Sequence, residues 1–147
     1  MTMPVTLEAS ARITWRRRLA AHVAVSLARV LMRLSPLRLR RLLMVIRRGA
    51  GPCPADRALA ARTAVVTVSV QCAGQGCLQR SIATVLLCRF ASTWPTWCTG
   101  VLTEPFRAHA WVEVDGVPIG ERDEIRHFHR TMVIPLMSAP ARLGETQ

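Results

Sequence analysis

The stretch Gly74-Gln75-Gly76-Cys77-Leu78-Gln79-Arg80-Ser81 holds the most chemistry in this 147-residue chain. Its two glycines permit an unusual backbone turn. Cys77 then opens a segment in which Leu78, Ile82, Val85, Leu86 and Phe90 keep helical spacing. A cysteine at a helix N-terminus meets unpaired N–H groups and the positive end of the helix dipole, and both favour the thiolate. The same N–H groups suit the negative oxygen of a tetrahedral intermediate. A nucleophilic thiol also needs a base to move protons, and an acid to hold that imidazole in the right tautomer. His109 and Glu121 are the candidates for these roles. Cys88, deeper in the same segment among Leu86, Leu87 and Phe90, reads as core.

These side chains meet only if the elements carrying them pack together. Arg107 to Val114 alternates apolar and polar residues, and Asp115-Gly116 and then Val117 to Glu121 follow it, which predicts a β-hairpin. His109, Trp111 and Glu113 share one face of its first strand, and Ala110, Val112 and Val114 the other. A two-residue loop would pair Val114 with Val117 and put Glu121 opposite Ala110, on the wrong face. A three-residue loop with a bulge would pair Glu113 with Val117 and bring Glu121 directly across from His109. We expect the second register, with Asp123 or Glu124 as the fallback acids. Thr96 to Leu102 is a further strand, broken by Gly100.

Upstream, Leu19, Val23, Leu27, Val30, Leu31 and Leu34 follow helical spacing among arginines. Ser35-Pro36 starts a second helix through Leu39, Leu42, Leu43 and Ile46, and Gly49 is placed to end it. Residues 49–55 read as a hinge-like connector. A third helix starts at Asp56 and runs to about Ser69. The expected fold class is therefore α+β. Trp94, Trp97 and Trp111 read as core or sheet-covering aromatics and Trp15 as a staple for the first helix. His127 and His129, in strand or solvated turn, are assigned no role.

The run Cys77 to Ser81, the stretch Thr103-Glu104-Pro105-Phe106-Arg107-Ala108-His109-Ala110-Trp111-Val112-Glu113-Val114-Asp115-Gly116, and Pro118-Ile119-Gly120-Glu121 together resemble the lasso-peptide leader peptidases. These are transglutaminase-like cysteine peptidases, and the likeness is to their short actinobacterial form, closest over residues 60–135. It implies a transglutaminase/papain-like core (56–135) with the cysteine helix on a small antiparallel sheet; the basic helices before it (1–55) match only in general character and the flexible tail after it (136–147) hardly at all, and the chain's length suits one domain. The resemblance further implies Cys77 as nucleophile and His109 as base. The family's usual aspartate twelve residues after the histidine is here Glu121, one methylene longer. Forms of this size lack the leader-recognition module, so the implied partners are the precursor's leader region and a separate recognition protein. The ATP-dependent cyclase that uses the freed amine is a further candidate partner. Gln71, six residues before Cys77, stands where papain-like enzymes keep an oxyanion glutamine; a solvent-facing helix end is the competing reading.

Composition bounds the alternatives. No run approaches the roughly 18 apolar residues of a membrane span, and no secretion signal is evident. Five cysteines without such a signal argue for reduced thiols and a cytoplasmic setting. The net charge of +11 is uneven: residues 1–62 carry thirteen arginines against Glu8 and Asp56, whereas residues 63–147 carry seven against seven acids. The basic front half suits a solvated face or a docking surface for an acidic partner. Nucleic-acid binding is not expected, because no aromatic stacking set accompanies the charge, and membrane association is not expected either. No cofactor or metal is expected. The rival functions are a transglutaminase or acyltransferase using the same three residues, a zinc site from Cys72, Cys77, Cys98 and His109 at irregular spacing, and a non-catalytic basic adaptor.

Overall fold

Alanine, not leucine, decides how the first helix packs. The computed structural model describes residues 12–138. In it α1 (Trp15–Leu31) buries Ala21, Ala24 and Ala28, while Leu19, Val23, Leu27 and Val30 are 44–60% exposed. At these four positions the expected face is reversed, whereas Leu31 and Leu34 of the same stripe do pack against the core. Spacing by hydropathy selects the leucine stripe, but only the small side chains let α1 lie close against the helices behind it. Trp15 is likewise exposed at 71%, with Arg16 over its ring, and is not buried as a staple among the described residues. Ala24→Leu is therefore expected to cost about 1–3 kcal/mol by overpacking. Leu27→Ala should stay within about 0.5 kcal/mol, as surface changes do. Urea midpoints of the two variants check this.

The second helix, α2 (Pro36–Ile46), starts at proline as expected and buries Leu39 and Leu43, although the Ser35 side chain makes no capping bond. Gly49 at φ +74° turns the chain out. The expected hinge contains a strand: β1 (Gly51–Pro52) pairs in parallel with β2 (Thr93–Trp94), which ties the helical front to the core. Next come α3 (Ala55–Val68), the single turn α4 (Val70–Ala73), and α5 (Cys77–Phe90). Every residue from Gln79 to Cys88 is buried, because α1, α3 and the sheet surround α5.

The main sheet is antiparallel, in the order β5 (Val117–Pro118), β4 (Phe106–Val114), β3 (Thr96–Thr103), β6 (His129–Ile134). Trp97 and Val112 are register partners in the same core as α5, and the Trp97 indole donates to Ser81 Oγ at 3.0 Å. On the opposite face Glu113 is buried. It accepts from the Trp111 indole at 2.8 Å and from Arg130 at 2.6 Å. Strand β6, preceded by a 3-10 turn at Asp123–His127, is where His129 falls. Its register against β3 slips at Thr99/Gly100. A side chain at Gly100 would sit 2.7 Å from both the Trp111 ring and the His129 carbonyl, so only glycine fits there. The buried core runs without a break from Ala21 in α1 to Ile134 in β6. The class is α+β, with N-terminal helices followed by an antiparallel sheet. No helix among the described residues is long and apolar enough to cross a membrane. Of the expected tail from 136 on, residues 136–138 are described and Leu136 packs against the core, while the rest lies outside the described residues.

Candidate active site

Cys77 is the first residue of α5, and the turn before it is built from backbone. Gly76 donates its N–H to the Gln71 carbonyl at 2.9 Å, and the Cys77 N–H donates to the Gln75 carbonyl at 2.9 Å. With Gly76 at φ −77°, ψ 52°, residues 75–77 form an inverse γ-turn. Arg80, buried one turn into α5, donates to the carbonyls of Cys72 at 2.9 Å and Gly74 at 3.3 Å, fastening the turn to the helix. Gln71 itself is exposed; its carbonyl, not its side chain, serves the turn. A Cβ at Gly76 would lie 2.6 Å from that carbonyl oxygen. Gly76→Ala must displace the turn and Cys77 with it. We expect roughly a 10- to 100-fold loss of turnover, the scale of an ångström-sized misplacement, measured by steady-state kinetics.

His109 reaches Glu121, but not through the expected register. The loop has two residues, with Asp115 at φ 52° and Gly116 at φ 77°, and Val114 pairs with Val117 and Glu113 with Pro118. That conformation matches strand twist, which favours such two-residue turns over the bulged alternative. Continued along β4, this register would leave Glu121 beside Ala110 and on the wrong face. The strand stops instead. After Pro118 one more bond joins the Ile119 N–H to the Val112 carbonyl at 2.9 Å, and Gly120 at φ +66° swings the chain aside. Glu121 Oε2 thereby comes 2.8 Å from His109 Nε2. The fallback acids are elsewhere: Glu124 pairs with Arg107 and Asp123 with Arg126, all exposed.

Because β5 is so short, β4 is an open edge at His109 and Ala110. Cys77 comes in there, lining one cavity with His109 and Ala110, and its thiol interacts with the imidazole and the Ala110 backbone. The His109 ring stacks on Trp111, centroids 6.1 Å apart, and meets Phe128 at 5.7 Å. Burial works against ionising Cys77, yet the bonds from His109 and Ala110 and the nearby positive charges of His109 and Arg80 outweigh it, and the thiol lies below its ordinary value. Burial also opposes charging His109; the bonds to Cys77 and Glu121 and their negative charges prevail, raising it to about 9. The pair therefore favours thiolate and imidazolium.

The other cysteines lack this setting. Burial raises Cys72, and burial with the Glu113 charge pushes Cys98 up to about 12. Cys53 is lowered to about 7 through its contact with Cys88 at 3.8 Å, but both are buried away from any imidazole. The alternative zinc set does not assemble, since among the described residues no three His, Cys, Asp or Glu side chains converge as metal ligands.

For two residues of the site the sequence suggests no role of their own. Arg62 of α3 is buried, packs against Gly120, and lies 3.6 Å from Glu121 Oε1. Arg80 fixes the turn. Each looks like one more surface arginine in a chain with twenty basic residues; a buried arginine is found only through its partners. A cavity of about 430 Å³ opens on the imidazole, lined by Arg62, Arg80, His109, Glu121, Arg122 and Glu124 among others. Trp94, Trp97 and Trp111 are buried, as expected of core aromatics. In comparison with known proteins, a family model for the transglutaminase-like superfamily matches residues 21–133. Neither a curated protein nor a solved structure matches the chain.

Proposed function

The chain belongs to the transglutaminase-like superfamily, and on that premise we propose that it is a cysteine peptidase that removes the leader from a lasso-peptide precursor. The observation that carries this reading is the contact chain from the Cys77 thiol through the His109 imidazole to the Glu121 carboxylate at the open edge of β4. The motifs around Cys77, His109 and Glu121, which resemble those of the leader peptidases, supply the substrate class.

The Cys77 thiolate attacks the carbonyl carbon at the leader–core junction. The N–H groups in the first turn of α5, which has no side-chain cap, hold the oxyanion. As the C–N bond breaks, the His109 imidazolium gives its proton to the departing core amine, leaving the leader as a thioester. Neutral His109 then takes a proton from water, whose oxygen displaces the thiolate and releases the leader carboxylate. Glu121, held by Arg62, keeps the imidazole aligned through both steps. The freed amine is what an ATP-dependent cyclase would use, and a separate leader-recognition protein would deliver the precursor.

The test is mass spectrometry of a precursor peptide incubated with this protein and the recognition protein. Scission at the leader–core junction, with one water gained across the two products, is the expected result. A leader joined to an added amine would make the protein an acyltransferase. An uncut precursor, with both proteins folded, would favour the basic adaptor.

A further inference from the structure

The face that α1 turns to solvent is apolar. Helical spacing gathers Trp15, Leu19, Val23, Leu27 and Val30 within about a third of the helix circumference, and all five are 44–71% exposed. Exposed apolar side chains need no explanation singly, but five on one face of one helix do. Arg18, His22 and Arg29 follow one border of the stripe at spacings of four and seven, all exposed. Arg16 stands within it, its guanidinium 5.4 Å from the centre of the Trp15 ring. Residues 12–50 hold eleven arginines and no acid, so no carboxylate of α1 or α2 neutralises this surface. Beside the first half of the stripe is a notch of about 630 Å³ between α1, α3 and α5. Its lining joins Arg16, Arg17 and Arg57 to the apolar Ala20, Leu87 and Phe90, and Asp56 is the one acid in it. The notch is remote from the nucleophile. Gln79, two residues after Cys77, donates to the Val25 carbonyl at 3.2 Å, whereas Arg16 and Ala20 meet Leu87 and Phe90. The two helices therefore run antiparallel, and the notch lies at the far end of α5, about 20 Å along its axis from Cys77.

We propose that the outer face of α1 and the adjoining notch form a docking surface for a partner protein that presents an amphipathic helix, its apolar stripe bordered by carboxylates. Both features of the occupant follow from this surface. The apolar row has the period of a helix, and a second helix laid along it buries the whole row at once. The arginines along and within the row are complemented by carboxylates at the borders of that helix, which set its register and exclude basic partners. An anionic lipid surface shares the apolar and negative character but not the shape. It would carry Arg16 into the acyl boundary with the stripe, and a flat surface does not fill a concave notch. Because the surface is remote from Cys77, its occupant is distinct from the peptide that is cut, and the inference stands whichever acceptor the thioester meets.

The probe is a fluorescein-labelled peptide of three repeats of Leu-Glu-Gln-Leu-Leu-Gln-Glu, titrated with the full chain and followed by fluorescence anisotropy. It is expected to bind at least about tenfold more tightly than the same peptide with lysine for glutamate or with alanine for leucine, the scale of losing a central interface anchor. Leu19→Glu on α1 and Arg57→Glu on α3 should each weaken it at least about tenfold. Both positions are exposed, and placing the variants on different elements guards against one failing to fold. Arg126→Glu, an exposed arginine on the far side of the sequence, removes the same charge and should leave binding within about twofold. Equal weakening by Arg57→Glu and Arg126→Glu would reduce the effect to net charge and overturn the surface. So would binding that Leu19→Glu leaves intact, or no binding at all. Sedimentation with phosphatidylglycerol vesicles that Leu19→Glu abolishes, without selectivity among the peptides, would give the face to a membrane instead. Self-association abolished by Leu19→Glu, with the peptide excluded, would give it to a second copy of the chain. No substrate enters these measurements, so an uncut precursor would sink the peptidase reading and leave the docking surface standing.

Discussion

Cys77→Ala is expected to lower turnover roughly 10⁴- to 10⁶-fold, the loss seen when a covalent nucleophile is removed from an otherwise intact site. Substrate binding should survive, because the substituted atom is one sulfur at the end of α5, and the walls of the site come from other residues. Folding should survive as well. Cys77 is only half-buried, and it forms no disulfide. The replacement also predicts a change in its neighbour: the bond and charge of Cys77 help raise His109 to about 9, so in the alanine variant His109 should titrate lower. Single-turnover cleavage by mass spectrometry and an NMR titration of the imidazole measure both. Cys77→Ser should be nearly as inactive, since a hydroxyl does not ionise beside this imidazole as the thiol does. Equal rates in wild type and Cys77→Ala would sink thiol chemistry altogether.

How legible this site was depended on whether its geometry is made locally. The helix beginning at Cys77 and the strand carrying His109 are legible because each has its own periodicity, 3.6 in residues 78–90 and 2 in residues 107–114. Strand alternation pairs Glu121 with His109 only if it continues through Gly120, where the positive φ ends it; a left-handed glycine after a hairpin looks in sequence like any other strand residue. The first helix misled for a related reason. Hydropathy ranks Leu27 above Ala28, but the depth of a helix–helix contact is set by side-chain size, and that depends on what lies opposite. His127 and His129 read as strand or solvated turn alike because β6 pairs with β3, about thirty residues earlier, and nothing local marks such a partner. Arg62 and Arg80 stayed hidden because burial of a charge is a property of the fold and not of the residue.

Glu121→Gln separates the orienting acid from the other two residues. The wild-type pH–rate profile should be bell-shaped. Its rising limb follows Cys77, which must lose a proton and does so below its ordinary value; its falling limb follows His109 near 9, above which no imidazolium remains to protonate the leaving amine. Among the groups raising His109, Glu121 acts twice, through its hydrogen bond and through its charge. The glutamine keeps an acceptor oxygen and loses the charge, so the falling limb should move to lower pH, toward the ordinary 6.5 of histidine. Turnover at the optimum should drop roughly 10²- to 10⁴-fold, as when a triad carboxylate becomes an amide. Stability carries the same sign. A histidine raised on folding stabilises the protein fully below about pH 6.5, and that contribution is lost as pH climbs through about 9. Urea midpoints for wild type should therefore fall between pH 6 and pH 10 by more than those of Glu121→Gln. Glu121→Asp restores the charge on a shorter arm, so it should return the falling limb toward wild type while recovering turnover only in part. A falling limb unmoved by Glu121→Gln would mean that another group holds the imidazole, and the 2.8 Å contact to Glu121 would then be packing without a role in proton transfer.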